Sequence, residues 1–449
     1  MTMIENEFPE AFVSRLKTQF GKEADAMLHA LQLSPAVSVR KREVAPIWDN
    51  EEVIPYCPGG VYLQQRPSFT LDPRFHLGEY YPQESSSMSI GLVFHQLNQR
   101  YQFKKILDTC AAPGGKSLLV LSAMDDDAIL LSNEIVGKRN FILQENLCKW
   151  SDPRSIVIQN QVKEIPQSET FDCIVLDAPC SGEGMFRKDP MARKEWSMEG
   201  VKQCVSIQQE LIHEAYRLLR PGGVLIYSTC TFNREENEMQ CLEMSESGNW
   251  RSITDLEMPI QARKVQEADF CAWRFLPHEG PGEGFFCAVW EKKSSDSRER
   301  KRFKSGVRKL EWTPLMKKEK QEVADLLSVS DIPMWRNEHN EVSYFLGDIA
   351  DWEGLNIRQL GVPLGQWIKK FSPHVGILRS DLAAENITRV DVSDEEALTL
   401  LRGEDLRSTE SLPAGWAIAQ WKGRDLTWMK GVQNRWSNHY PKDWRIRHL

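Results

Sequence analysis

The chain has 449 residues, enough for about three domains, and its 41% hydrophobic content is sufficient for packed cores. No apolar run approaches the roughly 20 residues that a membrane-spanning helix needs, which excludes an integral membrane protein. The first ten residues, MTMIENEFPE, have neither the basic nor the apolar region of a secretory signal. We therefore expect a soluble, cytoplasmic protein with no membrane partner.

The charges are acidic overall but unevenly distributed. A net charge of −8 and a pI near 5.7 argue mildly against nucleic-acid binding. Residues 298–320, however, carry ten Lys or Arg against three Glu. In the last 22 residues, cations and aromatic residues are interleaved, which suits base stacking and phosphate neutralisation: Trp428, Lys430, Arg435, Trp436, Tyr440, Lys442, Trp444, Arg445 and Arg447. A solvated linker and an ordinary basic tail are the alternative interpretation.

The ten cysteines form no Cys-x-x-Cys pair and no metal-ligand spacing. We expect reduced thiols and no metal site.

The chain begins with a helical pattern. Apolar residues recur at helical spacing and predict one or two amphipathic helices: Phe8, Phe12, Leu16, Phe20, Met27, Leu28 and Leu31. Short strand-like pieces follow to about residue 70, divided by prolines and glycines between residues 55 and 67. We expect residues 1–70 to form a small separate unit.

From about residue 71, strands alternate with helices, the pattern of an α/β fold with a doubly wound, mostly parallel sheet. The predicted strands are 104–108, 128–133, 155–159, 171–177, 222–228 and 284–290, with a long helix near 198–219. The charged stretch 291–306 is the clearest linker. We place the α/β domain at 71–292, and two smaller units at 293–375 and 376–449, the last of them β-rich.

Polar residues follow the predicted strand 171–177 directly, in the sequence FDCIVLDAPCSGEG. Ligands of open α/β sheets bind at the carboxyl ends of the strands, so the turn with Asp177, Pro179 and Cys180 is a candidate active-site loop. A lone cysteine after a strand is more often a small buried hydrophobe, and this motif alone leaves that interpretation open.

Two features near the first predicted strands indicate a ligand that contains a nucleoside. The strand 104–108 leads into TCAAPGGKS, whose glycines allow a ligand to approach the backbone at a helix N-terminus. This turn matches neither the P-loop nor the dinucleotide fingerprint, which argues against a nucleotide hydrolase or a nicotinamide enzyme. Glu134 lies 19 residues beyond Gly115, where a carboxylate can accept ribose hydroxyls, although a helix N-terminal charge explains it equally well.

A second cysteine, Cys230, follows the strand 222–228 in the sequence YSTCT. Neighbouring strands lie about 5 Å apart, so the loops of Cys180 and Cys230 can meet over one crevice. Covalent catalysis on a pyrimidine needs a thiolate, because attack at carbon 6 makes carbon 5 nucleophilic. Asp177 is the candidate acid that neutralises the ring.

Four ordered motifs resemble the NOL1/NOP2/Sun family of S-adenosylmethionine-dependent RNA 5-methylcytosine methyltransferases: DTCAAPGGKS, SNE, DAPCSGEG with RKDP, and YSTCT with EEN. Within this family, the chain is most similar to bacterial RsmF-type rRNA methyltransferases. The similarity runs from 83–88 to about residue 290 and returns in NRWSNHYPK, which resembles the PUA-like terminal domain. It implies a Rossmann-like methyltransferase sheet, an accessory or RNA-binding N-terminal domain, and C-terminal RNA-binding domains.

The resemblance also implies a cofactor site for S-adenosylmethionine. Its methionine and sugar would be held by Cys110, Ala111, Ala112, Pro113, Gly114, Gly115 and Lys116. Glu134 would hold the ribose, and Gln161 would contact the adenine side, where relatives often have an acidic residue. Asp177 would border both the cofactor and the cytosine.

For catalysis, the resemblance implies that Cys230 attacks carbon 6, that Cys180 assists product release, and that Lys116 touches the base. The implied substrate is RNA, namely 16S rRNA or the small ribosomal subunit, and we expect a monomer. A tRNA or DNA substrate is an alternative; DNA cytosine methyltransferases use a Pro-Cys nucleophile, so Cys180 would then attack. A non-catalytic, RNA-binding ribosome-assembly factor is the third hypothesis.

Overall fold

The protein is described by a computed structural model over residues 7–293, 312–329, 331–409 and 412–447. Most of the predicted linker 291–306 and of the basic segment 298–320 lies outside these described residues. Within them, the strands form four β-sheets.

The first sheet belongs to the N-terminal region. This region contains α1 (Glu10–Phe20), α2 (Glu23–Ala30), β1 (Val37–Lys41), β2 (Glu52–Val53), β3 (Gly60–Leu63), α3 (Pro73–Leu77) and β4 (Tyr80–Pro82). The sheet order is β2-β3-β1-β4, with antiparallel pairing. The boundary predicted at residue 70 therefore falls inside this sheet. Gly78 ends α3 with a φ of 72°, a conformation that favours glycine, and leads the chain into β4, which pairs with β1.

Helices α1 and α2 pack away from this first sheet. Phe12 lies in a cluster with Phe186 and Phe232, which belong to loops that follow strands of the central sheet. The rings of Phe12 and Phe186 are 4.9 Å apart, and Gln19 Nε2 donates to the carbonyl oxygen of Phe232 at 2.8 Å. The N-terminal helices thus support the segment just after Cys230.

The central sheet carries the predicted alternation of strands and helices. It is built from α4 (Ser89–Tyr101), β5 (Lys105–Asp108), α5 (Gly115–Ala123), β6 (Ile129–Asn133), α6 (Gly137–Trp150), β7 (Ser155–Ile158), β8 (Phe171–Asp177), α7 (Pro190–Glu195), α8 (Met198–Leu218), β9 (Leu219–Thr229), α9 (Glu238–Glu246), β10 (Trp250–Ser252), β11 (Arg263–Glu267), β12 (Phe270–Phe275) and β13 (Phe285–Lys292). Strands β9, β8, β5, β6 and β7 are neighbours in that order and run parallel. Strand β13 adds to β9 in the antiparallel sense. The predicted Rossmann-like sheet is confirmed.

Both faces of this sheet are buried. In β8, Cys173 and Val175 point into one apolar cluster, while Ile174 and Leu176 point into the other. The continuous apolar run of β8 follows from this burial, because a parallel strand between two helical layers has no wet face. Among the described residues, no helix is long and apolar enough to cross a membrane.

The C-terminal half forms two further sheets. It contains β14 (Thr313–Pro314), α10 (Lys317–Ala324), β15 (Met334–Arg336), β16 (Glu341–Tyr344), β17 (Ile357–Leu360), β18 (Val362–Trp367), β19 (Phe371–Pro373), α11 (Gly376–Arg379), β20 (Thr388–Asp391), α12 (Asp394–Leu401), β21 (Leu406–Arg407), β22 (Gly415–Trp421), β23 (Arg424–Val432) and β24 (Arg435–Asn438). The sheet orders are β14-β15-β16-β18-β19 and β20-β22-β23-β24-β21. Strand β17 leaves its neighbours and pairs with β7, which extends the central sheet.

Three of the four C-terminal aromatic residues that were predicted to stack on bases are buried, and Trp444 is half-buried. Trp428 and Tyr440 are almost completely buried, and Trp436 is buried as well. Trp428 Nε1 donates to the carbonyl oxygen of His374 at 2.9 Å, and the Tyr440 hydroxyl lies 2.8 Å from His76 Nδ1. These side chains form the core of the last sheet, so the stacking interpretation is wrong for them.

Candidate active site

The site lies where β8 and β9 end side by side. Asp177 of β8 is in register with Ser228 of β9, so Cys180 and Cys230 follow two neighbouring strand ends. Their Sγ atoms are 3.1 Å apart, and the backbone N–H of Cys230 donates to Cys180 Sγ at 3.4 Å. Both residues are partly exposed, and all ten cysteines of the chain are free thiols. The two cysteines that the sequence singled out thus form one pair.

The environments of the two thiols differ. The hydrogen bond with Cys230, burial and the negative charge of Glu236 together raise the pKa of Cys180 well above its usual value. Cys180 is therefore a protonated thiol at neutral pH. Cys230 interacts instead with the ammonium group of Lys116.

Lys116 and Asp177 form an ion pair beside the cysteines. Lys116 Nζ is 2.8 Å from Asp177 Oδ2, and the Ser228 hydroxyl donates to Asp177 Oδ1 at 3.0 Å. The ammonium group also lies 5.2 Å from the ring centre of Phe285. Burial lowers the pKa of Lys116, but its interactions with Asp177 and Cys230 outweigh burial and raise that pKa above its usual value. The lysine is a stable cation.

A pocket of about 370 Å³ lies at the ends of β5, β6 and β7. Cys110, Glu134 and Gln161 line it, together with apolar side chains that include Val162 and Leu211. Of the three consecutive amides in this region, Asn160 and Gln161 line the pocket, and the Asn160 side chain also accepts a hydrogen bond from the backbone N–H of Asn356. This mixture of carboxylates, amides and apolar walls suits a nucleoside.

The turn between β5 and α5 closes one side of this pocket. Ala111 and Ala112 are buried, and the carbonyl oxygens of Ala112 and Pro113 accept hydrogen bonds from Arg139 and Asn146. The following residues Gly114 and Gly115 lead into α5, and Gly114 has a φ of 120°. The predicted cofactor segment 110–116 thus reaches from the pocket at Cys110 to the ion pair at Lys116.

Sequence reasoning assigned no role to Asp108, the last residue of β5. It is completely buried and accepts a hydrogen bond from the Ser117 hydroxyl at 2.7 Å. Burial raises its pKa to about 7, the charge of Asp177 adds to this effect, and the bond from Ser117 opposes it. The motif DTCAAPGGKS contained Asp108, but burial of a strand-end carboxylate is visible only in the fold.

Sequence reasoning also missed Glu236. The EEN segment contributed to the resemblance without a role for any of its residues. Glu236 is completely buried between the two cysteine loops, where it accepts several hydrogen bonds. Its position depends on contacts between distant segments, since Ser181 and Glu236 are separated by 55 residues along the chain.

The parallel sheet order, the glycine-containing turn after β5 and the carboxylate after β6 are those of a Rossmann-like methyltransferase fold, and the matching family model makes the chain an S-adenosylmethionine-dependent RNA methyltransferase. Three family models match the chain: "16S rRNA methyltransferase RsmB/F" over residues 96–291, "N-terminal domain of 16S rRNA methyltransferase RsmF" over 8–85, and "Methyltransferase RsmF PUA domain" over 388–446. The chain belongs to this RsmB/F methyltransferase family, and the predicted resemblance to RsmF-type enzymes is confirmed.

Curated relatives match over most of their length. Two of them are named Ribosomal RNA small subunit methyltransferase F. The protein from Citrobacter koseri is 29% identical over 97% of this chain and 96% of its own. The protein from Erwinia tasmaniensis is 30% identical over 87% of this chain and 84% of its own. The crystal structure of NSun6 from Pyrococcus horikoshii with SFG shares the fold, with a TM-score of 0.54 and 19% identity over 65% of this chain and 100% of that one.

Proposed function

We propose that the protein methylates carbon 5 of a cytosine in 16S rRNA, through a covalent bond between Cys230 and carbon 6 of the base. The observation that carries this proposal is the pair of thiols 3.1 Å apart beside the Lys116–Asp177 ion pair. A single nucleophile would suffice for many transfers, whereas a reaction that attaches to a base and then releases it has a use for two thiols. The names of the relatives support small-subunit rRNA as the substrate.

The pocket beside this pair fits S-adenosylmethionine. Glu134 offers carboxylate oxygens to the ribose hydroxyls, Gln161 offers an amide to the adenine side, and Cys110 borders the sugar. The methionine part would lie along the backbone of the turn 111–115, which continues from Cys110 towards Lys116. The cofactor, when bound there, supplies an electrophilic methyl group.

The asymmetry between the thiols supports Cys230 as the nucleophile. The positive charge of Lys116 faces Cys230, whereas the negative charge of Glu236 faces Cys180. The raised pKa of Cys180 makes it the poorer nucleophile, because the thiolate is the attacking form. As Cys230 forms its bond to carbon 6, negative charge develops on the ring. Asp177 passes a proton from the Lys116 ammonium group to the ring nitrogen, which neutralises this charge, and it accepts a hydrogen bond from the amino group of the base.

Cys180 then serves the release step. After methyl transfer, the bond between carbon 5 and its proton breaks, its electrons form the double bond between carbons 5 and 6, and the bond to Cys230 Sγ breaks. Cys180 gives its own proton to the departing sulfur of Cys230, and the Cys180 thiolate that results takes the proton from carbon 5. Cys180 is protonated and within hydrogen-bond distance of Cys230, so it stabilises the departing sulfur. Without Cys180, the protein would remain attached to its product.

The test uses methyl-labelled S-adenosylmethionine with purified 16S rRNA, small subunits, tRNA and DNA in parallel. Wild type is expected to label 16S rRNA or the subunit at a cytosine that bisulfite sequencing identifies. Cys230→Ala is expected to abolish labelling, while Cys180→Ala is expected to accumulate a covalent protein–RNA adduct that survives denaturation.

Other outcomes would redirect the proposal. Labelled tRNA or DNA in place of 16S rRNA would change the substrate. An adduct in Cys230→Ala but not in Cys180→Ala would exchange the roles of the two cysteines. Normal ribosome maturation and RNA binding by both variants, with no labelling by wild type, would favour a non-catalytic assembly factor.

A further inference from the structure

Glu236 is a completely buried carboxylate that contacts both cysteine loops. Its Oε2 atom accepts hydrogen bonds from the backbone N–H of Ser181 at 2.9 Å and from Gln208 Nε2 at 2.8 Å. Its Oε1 atom accepts from Asn233 Nδ2 at 2.6 Å. A buried charge is costly unless it is hydrogen-bonded, and these three neutral donors offset part of that cost.

On one side, the carboxylate holds the loop of Cys180. Ser181 is the residue that follows this cysteine, and Gln208 also donates to the carbonyl oxygen of Pro179, which precedes it, at 2.9 Å. Glu236, together with Gln208 from helix α8, therefore fixes the backbone on both sides of Cys180.

On the other side, the carboxylate holds the loop of Cys230. Asn233 lies three residues after this cysteine and also donates to Thr231 Oγ1 at 2.9 Å. The Tyr227 hydroxyl, at the end of β9, donates to the backbone carbonyl of Glu236 at 2.6 Å. The Glu236 side chain is thus a buried, charged bridge between the backbone around one thiol and the backbone around the other. Neighbouring hydrogen bonds also join the two loops, from the backbone N–H of Gly184 to the carbonyl oxygen of Cys230 at 2.8 Å and between the hydroxyls of Ser181 and Thr231 at 2.9 Å.

We propose that Glu236 is a positioning residue that keeps Cys180 and Cys230 in contact, so that the release step follows attack without rearrangement of the loops. This inference rests on the proposed function for its catalytic consequence, but the contact between the thiols can be measured without catalysis. The negative charge of Glu236 also contributes to keeping Cys180 protonated, the form that the release step requires.

The chain supplies a matched control for this bridge. Gln209, the residue after Gln208 in α8, is exposed, and its side chain donates to the carboxylate of Glu243 in α9 at 2.9 Å and 3.0 Å. This pair has the same chemistry as Gln208 and Glu236 but, within the described part of the chain, makes no side-chain hydrogen bond to the cysteine loops. Glu236→Gln is therefore compared with Glu243→Gln, and Gln208→Met with Gln209→Met. Glutamine keeps the size of Glu236 but replaces one acceptor oxygen by a donor that faces other donors.

The first readout is chemical trapping of the thiol pair. Diamide removes one hydrogen from each thiol, is reduced to the hydrazine, and leaves a Cys180–Cys230 disulfide that peptide mapping identifies. We expect trapping at least tenfold slower in Glu236→Gln than in wild type, and wild-type rates in Glu243→Gln. This measurement needs neither RNA nor cofactor, so it remains informative if the proposed methylation fails.

The second readout is catalytic: the turnover rate and the amount of covalent RNA adduct that accumulates. A displacement of about 1 Å in a reacting group can cost about a hundredfold in rate, so we expect a loss of that order in turnover by Glu236→Gln. The variant should accumulate the covalent RNA adduct while cofactor affinity stays within about twofold of wild type. Gln208→Met, which removes one donor and leaves the carboxylate, should show the same changes to a smaller degree.

Two results would overturn the inference. In the first, Glu236→Gln and Gln208→Met show the same trapping rate, turnover and adduct level as the two control variants. The second is a loss of turnover that parallels lost cofactor binding and a lowered melting temperature, with trapping per folded molecule unchanged, since that is the behaviour of a residue needed only for folding.

Discussion

Replacing Asp108 by asparagine should change how stability depends on pH. The folded-state pKa of this carboxyl is about 7, against an ordinary value of 3.8, because the group is buried. The folded protein therefore binds a proton between about pH 4 and 7 that the unfolded chain has released, and the associated stability is present below pH 4 and lost as pH rises towards 7. At about 1.4 kcal/mol for each pKa unit, the loss is about 4 kcal/mol.

The substitution Asp108→Asn keeps the size of the side chain, and the amide oxygen still accepts the hydrogen bond from Ser117. Urea unfolding of Asp108→Asn and wild type should give a free-energy difference that grows in favour of the variant from pH 4 to 7.5, by about 4 kcal/mol in total. Asp255 is the control, because it is exposed and its pKa is lowered by Arg100, so Asp255→Asn should show no such gain. A difference curve for Asp108→Asn that stays flat across this range would refute the argument from burial.

Three further predictions concern the site and its support. Lys116→Met removes the cation that pairs with Asp177, and turnover measured by methyl incorporation should fall about 10²- to 10³-fold with little change in stability; unchanged turnover would exclude an electrostatic role. Phe12→Ala empties a buried position under the loop after Cys230 and should cost about 3–5 kcal/mol in urea unfolding, whereas a loss below about 1 kcal/mol would show that α1 does not support this loop. Gly78→Ala places a Cβ 2.3 Å from a carbonyl oxygen of α6 and should destabilise more than Gly21→Ala, which has positive φ but open space; equal losses would contradict the contact.

The parts of the fold that sequence reasoning predicted are those with local causes. The apolar run of β8 and the turn after β5 follow from burial on two faces and from glycine content within a few residues. Both cysteines were located because each lies just past a strand end, where a parallel sheet places its ligand site.

The parts that sequence reasoning missed depend on distant pairing. Strand β17 pairs with β7, about 200 residues earlier in the chain. Nothing in the four residues of β17 indicates that it joins the central sheet and not the sheet that contains β16 and β18. The spacing of the tail aromatic residues among cations resembles a stacking surface, but four consecutive residues of β23 that include Trp428 are buried. The layers that cover both sides of this strand come from distant segments, so the local sequence does not reveal them.

The roles of the two cysteines also depend on contacts between distant segments, although the positions of the cysteines have local causes. Sequence alone leaves both assignments open, since DAPC and YSTC each place a thiol after a strand. What separates them is the charged group that interacts with each thiol: Lys116, in the first turn of α5, interacts with Cys230, whereas Glu236, in the segment before α9, interacts with Cys180. Exchange of these charges would therefore be expected to exchange the reactivities of the thiols. An iodoacetamide labelling profile in which Lys116→Met slows alkylation of Cys230 and Glu236→Gln speeds that of Cys180 would support this reasoning, and equal effects on both cysteines would contradict it.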